Sequence, residues 1–406
     1  MTLSKPSAHI EHADPIEALA HQQLSALERA GTLRTLRTFE GPLGPRMRVE
    51  GREVLMFSSG NYLDLAHHPE VVAAAAEAAL GVGTAASGSR LITGNLSCHD
   101  LLERELAEFF GKQAALVFST GYMLNVGVIP ALVGPSDVVF SDSLVHASII
   151  DGVRLSRAEV VIFPHGDVDG LRERVRERQG RARRMLIVVD GVYSMDGDLA
   201  PLAGIAGVAS EFDAMFMVDD AHGTGTLGKL GQGAVELHDV LSRVDILAGT
   251  LGKGLGSFGA FLVGSHRLRD LLINTARSFI FSCALPPPQV EAARAALRIV
   301  QREPWRRQAL QERAQTLRML LQAGGLSTAP SNTHIVPVIL GDNARTMTVT
   351  RALLERGFHA QGIRYPSVPE GTARLRLTPM ATHTDREVRD LAAAVLDVTR
   401  SIPAAG

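Results

Sequence analysis

The reading of this chain turns on Val244-Asp245-Ile246-Leu247-Ala248-Gly249-Thr250-Leu251-Gly252-Lys253-Gly254-Leu255-Gly256. Its first half is a short apolar run that predicts a buried strand. Its second half breaks into a glycine-rich turn around a single lysine. A lysine among glycines, with no carboxylate beside it in sequence, is poorly explained as a solvated surface charge. Glycines permit unusual backbone angles and let a bulky ligand come close. A lysine that condenses with a carbonyl compound needs that room and a lowered pKa. An ordinary surface β-turn accounts for the same letters, so the rest of the chain has to choose between them.

At 406 residues the chain is too long for one small core and implies a large domain with a smaller one. Apolar residues make up 46%, charged residues 21%, and the net charge is −2. That profile lacks the basic excess expected of a protein that binds nucleic acid or an anionic membrane. The arginine-rich run 172–184 is interleaved with glutamates and reads as a solvated helix face. Cys98 and Cys283 make no disulfide framework, and no Cys/His spacing suggests a metal site. The start, Met1 to Pro15, is polar and acid-bearing, unlike a signal peptide. No apolar run approaches the roughly 18 residues of a membrane helix, so a cytoplasmic protein without a membrane span is expected.

Working outward from the opening stretch, short apolar runs recur at Ala114 to Phe118, Val138 to Ser141, Glu159 to Phe163, Met185 to Asp190, Ala214 to Asp219, Ile246 to Thr250 and Ala260 to Val263. Turns or helix-length segments separate them. Near-continuous apolar strands alternating with helices predict an α/β fold with a mostly parallel, seven-stranded sheet covered on both faces. Before it lie a helical arm from Pro15 and a small hairpin around Glu50-Gly51-Arg52. After Pro286-Pro287-Pro288 the pattern changes to long helices near 289–302 and 306–323, with strands near 334–340 and 373–378. The expected division is an N-terminal arm and hairpin (1–60), a large domain (61–288) and a smaller α+β domain (289–406).

In parallel sheets, ligands bind where strands deliver their carboxyl ends. Those ends here carry Ser119-Thr120-Gly121-Tyr122, then Asp142 and His146, Asp190 and Ser194, Asp219-Asp220-Ala221-His222, and Thr250 with Lys253. A single phosphorylated aromatic aldehyde above this edge gives each residue a task. Lys253 forms the Schiff base, and Asp219 keeps the pyridine nitrogen protonated so that the ring acts as an electron sink. His222 and Ser194 bond the ring hydroxyl, and His146 stacks on the ring face. Thr120, Gly121, Tyr122 and Thr250 hold the phosphate, helped by free N–H groups at a helix start. That cofactor is pyridoxal 5′-phosphate. Two other motifs fail on context. Gly223-Thr224-Gly225-Thr226-Leu227-Gly228 fits a dinucleotide pattern, yet Asp219 to His222 intervene and no apolar helix follows. Gly249 to Gly254 lacks the spacing and the Ser or Thr of a P-loop.

The segments Gly88 to Asn95, His146 to Gly152, Ser194 to Asp198, Asp219 to Gly225, Gly249 to Gly254 and Gly371 to Thr378 resemble, in order, the α-oxoamine synthases. The resemblance covers nearly all the chain from about residue 50. It implies a fold-type I pyridoxal-phosphate transferase, a homodimer with shared active sites, and decarboxylative condensation of a small amino acid with an acyl-CoA or acyl-carrier-protein thioester. It further implies that Lys253, after its displacement by the amino acid, works as the general base. Arg376 would clamp the substrate carboxylate, Arg364 and Asn61 would add substrate contacts, and Ser282 would reach the partner's phosphate. Gly88 to Asn95 and Arg374 to Thr378 look most like the branch that joins L-alanine to a pimeloyl thioester. Asp239 to Lys253 and Tyr365-Pro366 look more like the branch that uses glycine and acetyl-CoA, and serine-using members are a further alternative. One departure bears on that choice: Gly60 stands where both those branches carry Asn, and Asp64 where Gly is usual. Non-catalytic subunits with this fold lose the lysine, whereas this chain keeps Lys253 together with Asp219.

Overall fold

Alternation inside each strand explains how one sheet divides the large domain into two cores. In Met185–Asp190, Leu186 and Val188 enter one core while Ile187 and Val189 enter the other. In Ala114–Phe118, Leu116 and Phe118 part from Ala115 and Val117 in the same way. Burial on both faces removes the need for polar residues, so these strands read as unbroken apolar runs. The computed structural model describes residues 14–402, so the polar segment that argued against a signal peptide falls almost wholly outside the described residues.

The sheet has seven strands, in the order Ala114–Phe118, Ala260–Gly264, Ile246–Thr250, Met215–Asp219, Met185–Asp190, Val138–Asp142 and Glu159–Phe163. All run parallel except Ala260–Gly264, which is antiparallel to both its neighbours. That strand follows the lysine turn and returns beside Ile246–Thr250, which closes the turn on itself. Helices Ser97–Phe110, Val168–Arg178, Leu202–Glu211 and Pro287–Arg302 cover one face, and Gly121–Leu132, Ala147–Ser156 and His266–Thr275 cover the other. Register sets Asp190 beside Asp219, and Asp219 beside Ala248, so the functional ends of three strands share one edge.

A smaller unit is built around the antiparallel sheet Val336–Gly341, Ala373–Leu377 and Gln361–Ile363, with Trp305–Ala323, Asn343–Glu355 and Asp385–Ser401 packed on it. Two features bear on the expected division. The hairpin Arg46–Val49/Arg52–Met56 pairs in parallel with Phe358–His359, and Phe57 is buried in the core of the carboxyl-terminal unit. Helix Pro287–Arg302, beyond the expected boundary at 288, buries Val290, Ala293, Ala296 and Val300 in the large core. We propose that the hairpin belongs with the small unit and that the large unit extends to about residue 302. Helix Pro15–Arg29 begins at an Asp14 cap and buries none of its residues, leaving Ile16, Leu19, Leu24 and Leu27 exposed. No helix among the described residues is long and apolar enough to cross a membrane.

Gly249 shows how tightly the lysine strand is seated. It pairs with Phe261 across the antiparallel ladder. A Cβ at 249 would lie 2.4 Å from the Phe261 ring and 2.8 Å from Thr224 Oγ1. Phe261 is fully buried and has nowhere to retreat. Gly249→Ala is therefore expected to destabilise the fold by about 1–3 kcal/mol, read as a lower denaturant midpoint in urea unfolding.

Candidate active site

Lys253 emerges from the turn after Ile246–Thr250 with its amine 3.1 Å from His222 Nε2. On the other side of the imidazole, His222 Nδ1 lies 2.7 Å from the Tyr62 hydroxyl. Arg376 approaches that hydroxyl at 3.4 Å and donates its Nε to the Ser194 carbonyl at 2.5 Å. Five segments distant in sequence thus meet at one point. Burial pushes the Lys253 amine below its ordinary pKa; Arg376 adds to the effect while Asp219 and Asp190 oppose it. Burial, then the charges of Lys253 and Arg376, hold His222 well below the usual histidine range. An amine that sheds its proton readily is a nucleophile and a base.

Asp219 and Asp220 are consecutive residues with opposite surroundings. Asp219 ends its strand half-buried, its Oδ2 accepting from Asn125 Nδ2 at 2.7 Å and its Oδ1 from the Ala221 N–H at 3.2 Å. Asp220 faces the other way and is wholly buried, and burial raises its carboxyl pKa to about 7. It accepts from the Ala234 N–H at 2.7 Å. Gly191, Gly223 and Gly233 enclose it, and a Cβ on any of them would come within 2.4 Å of a carboxyl oxygen. The glycines that imitate a dinucleotide motif therefore include one, Gly223, that makes room for a buried acid.

His146 caps helix Ala147–Ser156, its Nδ1 lying 2.7 Å from Ser148 Oγ. Its own N–H donates to Asp190 Oδ2 at 3.0 Å. Burial lowers the His146 pKa, with Lys253 assisting and Asp219 opposing. Burial and the neighbouring Asp219 charge drive the Asp190 carboxyl well up. Thr120 caps helix Gly121–Leu132 by accepting from the Met123 N–H at 3.1 Å. The N–H groups of Gly121 and Tyr122 have no partners within the helix, and a Cβ on Gly121 would meet nothing within 4 Å. The space before this helix therefore suits an anion.

The Tyr122 side chain is exposed and its hydroxyl donates to Asp151. Thr250 Oγ1 is used within the turn, donating to the Gly259 carbonyl at 3.1 Å and accepting from the Gly252 N–H at 3.1 Å. Ser194 offers Arg376 its backbone carbonyl. Ser282 lines a small cleft with Arg90, Ser119 and Phe279, away from the lysine. Asn61 and Arg364 are engaged within the chain. Asn61 turns its amide into its own loop, donating to Asp64 and accepting from the Leu65 and Ala66 N–H groups at 2.9 and 3.1 Å. Arg364 donates to the backbone carbonyls of Gly31, at 2.6 Å, and Leu33, which fastens the N-terminal segment.

The departures from the family pattern also have physical readings. Asp64 adopts φ of +56°, a left-handed backbone at which glycine carries no steric penalty, and its carboxylate accepts from Thr382 Oγ1 at 2.7 Å. Gly60 flanks the lysine: a Cβ there would touch Lys253 Cγ at 3.4 Å. The missing side chain leaves space along the lysine stem. Asn125, inside a helix, and Tyr62, in a loop, carried no chemical signal in the sequence, although each contacts a predicted site residue. Pyridoxal phosphate fits this set. A carboxylate held by Asn125 suits the ring nitrogen, an open helix start suits the phosphate, and the Lys253 amine, desolvated and near that carboxylate, suits the aldehyde.

A second cluster fixes the loops. His165 donates from Nδ1 to Asp142 at 3.0 Å and from Nε2 to Asp198 at 2.8 Å, with Tyr193 edge-on at 4.3 Å. Burial alone would lower the His165 pKa, but the two carboxylates override it and raise it to about 10. It ties the loop carrying His146 to the loop carrying Ser194. A folded-state pKa above the unfolded value near 6.5 contributes stability that is complete below that value and is lost as pH rises through about 10. The stability gap between the parent protein and His165→Gln should therefore be largest near about pH 6 and shrink toward pH 10, as chemical denaturation at the two pH values will show. Removing the Asn125 donor strips a charged-group hydrogen bond from Asp219. Asn125→Ala should weaken pyridoxal phosphate binding roughly 10- to 100-fold, measured by absorbance titration of the apoprotein.

Residues 52–395 match the aminotransferase class I and II family. Over 382 residues the chain is 49% identical to 8-amino-7-oxononanoate synthase of Geobacter sulfurreducens, spanning 94% of this chain and 97% of that relative. Serine palmitoyltransferase from S. paucimobilis, solved with a PLP–myriocin aldimine bound, superposes with a TM-score of 0.90 at 31% identity, over 96% of this chain and 99% of the other. 8-Amino-7-oxononanoate synthase from Francisella tularensis superposes with a TM-score of 0.74 at 25% identity, over 86% and 98% of the two chains. Together with the lysine site, these matches place the chain in the aminotransferase class I and II family, as a pyridoxal-phosphate-dependent α-oxoamine synthase.

Proposed function

We propose that this protein joins the α-carbon of L-alanine to the carbonyl of a pimeloyl thioester, releasing the thiol and carbon dioxide, as an 8-amino-7-oxononanoate synthase does. The observation that carries this reading is the buried Lys253 amine, with Asp219 and Arg376 both close enough to shift its pKa. When bound, pyridoxal phosphate supplies an electron sink for negative charge at the amino acid's α-carbon. The chain's residues supply the rest. Asp219 would face the ring nitrogen and His146 the ring plane, while Thr120, Gly121, Tyr122 and Thr250 would receive the phosphate. His222 and Ser194 would serve the ring hydroxyl. Arg376, anchored along one edge by Ser194, keeps further N–H donors for a substrate carboxylate. Lys253 takes the α-proton as general base and returns a proton to the product.

A second reading concerns only the amino acid. Gly60 leaves the side of Lys253 open where the alanine- and glycine-using branches carry Asn, so a glycine- or serine-using activity is the alternative. The apolar side of helix Pro15–Arg29, with the exposed Ile92 and Phe281, supports a homodimer in which Ser282 reaches the phosphate held by the second copy. A cytoplasmic enzyme fits the absence of a membrane-crossing helix among the described residues.

The test has two parts. The purified protein should bind pyridoxal phosphate with a visible absorbance band that Lys253→Ala abolishes. L-Alanine, glycine and L-serine are then titrated for perturbation of that band, and thiol release is assayed with pimeloyl, acetyl and palmitoyl donors on coenzyme A and on carrier protein. Turnover only with L-alanine and the pimeloyl donor is expected. Preferential turnover of serine or glycine would overturn the alanine assignment, and an unchanged band in Lys253→Ala would overturn the site.

A further inference from the structure

Tyr62 is 1% exposed, and its hydroxyl has two neighbours within hydrogen-bond reach. One is Arg376, which can only donate, because a guanidinium has no acceptor. The other is His222 Nδ1, at 2.7 Å. His334 stands edge-on to the Tyr62 ring at 4.3 Å between centroids, but neither of its ring nitrogens has a partner, so it takes no proton from the hydroxyl. With Arg376 donating to the phenol oxygen, the phenol hydrogen has one acceptor left, His222 Nδ1. A neutral imidazole that accepts at Nδ1 carries its hydrogen on Nε2. The reverse arrangement, Nδ1–H donating to Tyr62, leaves a buried hydroxyl hydrogen unpaired, and such groups are rare in folded proteins.

We infer that Tyr62 is a positioning residue that places the His222 proton on Nε2 and so presents an N–H donor, not an acceptor, to Lys253 and to whatever oxygen is bound beside it. The nearest acceptor for that donor is the Lys253 amine, 3.1 Å away, and only the unprotonated amine has a lone pair to accept it. Tyr62 therefore acts through His222 on the charge state of Lys253. Several other groups bear on the amine. Asp219 and Asp190 favour the ammonium form and Arg376 opposes it. His146 and His334 are held below their ordinary pKa mainly by burial and add no charge there at neutral pH. The phenol's contribution is directional, since it decides which way the hydrogen bond to Lys253 points. This inference rests on Lys253 being the reactive amine of the site, and the same Nε2–H suits a cofactor oxygen on that side.

The measurement uses the apoprotein, so it does not depend on turnover. Competitive acetylation with acetic anhydride across a pH series, read by peptide mass spectrometry, gives the apparent pKa of Lys253. Tyr62→Phe keeps the ring against His334 and removes only the hydroxyl. His222 Nε2 is then free to accept, the ammonium gains a partner, and the apparent pKa should rise by about one unit, roughly a tenfold loss of reactivity at neutral pH. The melting temperature serves as the structural control. An unshifted Lys253 pKa in a folded Tyr62→Phe protein would overturn the inference. A second measurement needs no variant: in the apoprotein labelled with ring-15N histidine, the His222 spectrum should be that of the Nε2–H tautomer, and an Nδ1–H spectrum overturns the inference. If the parent apoprotein takes up no pyridoxal phosphate, the functional reading fails instead, and both tautomer measurements still report on Tyr62.

Discussion

A lysine amine that must react has to be kept dry without being walled off, and the arrangement around residue 253 follows from that demand. Removing water disfavours the ammonium form, and here burial is the largest influence on the Lys253 amine. Burial also deprives the amine of solvent partners, so it needs a neighbour that does not restore the charge. A neutral imidazole meets the need, and His222 is kept neutral by the same burial. Asp219 and Asp190 pull the other way, and Arg376 offsets part of their effect. Gly60 leaves the lysine stem uncovered, while Gly254 lets the turn pack against the Thr224 carbonyl, where a Cβ would come within 2.6 Å. The lysine is thus poised by a balance among residues from four parts of the chain.

Behind that front layer, buried carboxyl groups fasten the loops. Asp190 receives the His146 N–H, Asp220 the Ala234 N–H, and Asp142 the Leu144 N–H and the His165 imidazole. Each lies at or just past the carboxyl end of a parallel strand, where the chain leaves the sheet and its backbone donors lose their ladder partners. A short acid placed there satisfies them. The strand-end acids therefore divide into one that stands near the Lys253 amine, Asp219, and several that hold the rim in shape. Residue type alone does not separate the two groups; the face of the strand does.

That distinction marks where the sequence could be read and where it could not. The seven large-sheet strands were legible because burial on both faces writes each as an unbroken apolar run, and their observed limits lie within a residue of expectation. That Lys253, Asp219, His146 and His222 gather at one sheet edge was legible because each follows such a run. Asn125 was not, since its amide sits among the apolar residues of helix Gly121–Leu132 and meets Asp219 only in three dimensions. Tyr62 looked like any aromatic in a loop. The intramolecular partners of Asn61 and Arg364 were hidden for a related reason. Spacing put them near the right motifs but could not show that one side chain would close its own turn and the other would clasp the N-terminal segment. Strand Ala260–Gly264 was found, whereas its antiparallel direction depends on register, which no local pattern records.

The parallel pairing of Phe358–His359 with Leu55–Met56 sets an order on synthesis. The hairpin that opens this sheet leaves the ribosome about 300 residues before the strand that completes it, an interval of roughly 15–60 s at ordinary translation speeds. For that time Phe57, fully buried in the finished protein, lacks the core that will cover it. The large core, which draws on residues from Tyr62 to Val300 before the small unit is made, can meanwhile assemble from contacts already present. The nascent chain thus carries an unfinished edge at its front while its middle folds, and the small unit closes only when the last quarter of the message has been read.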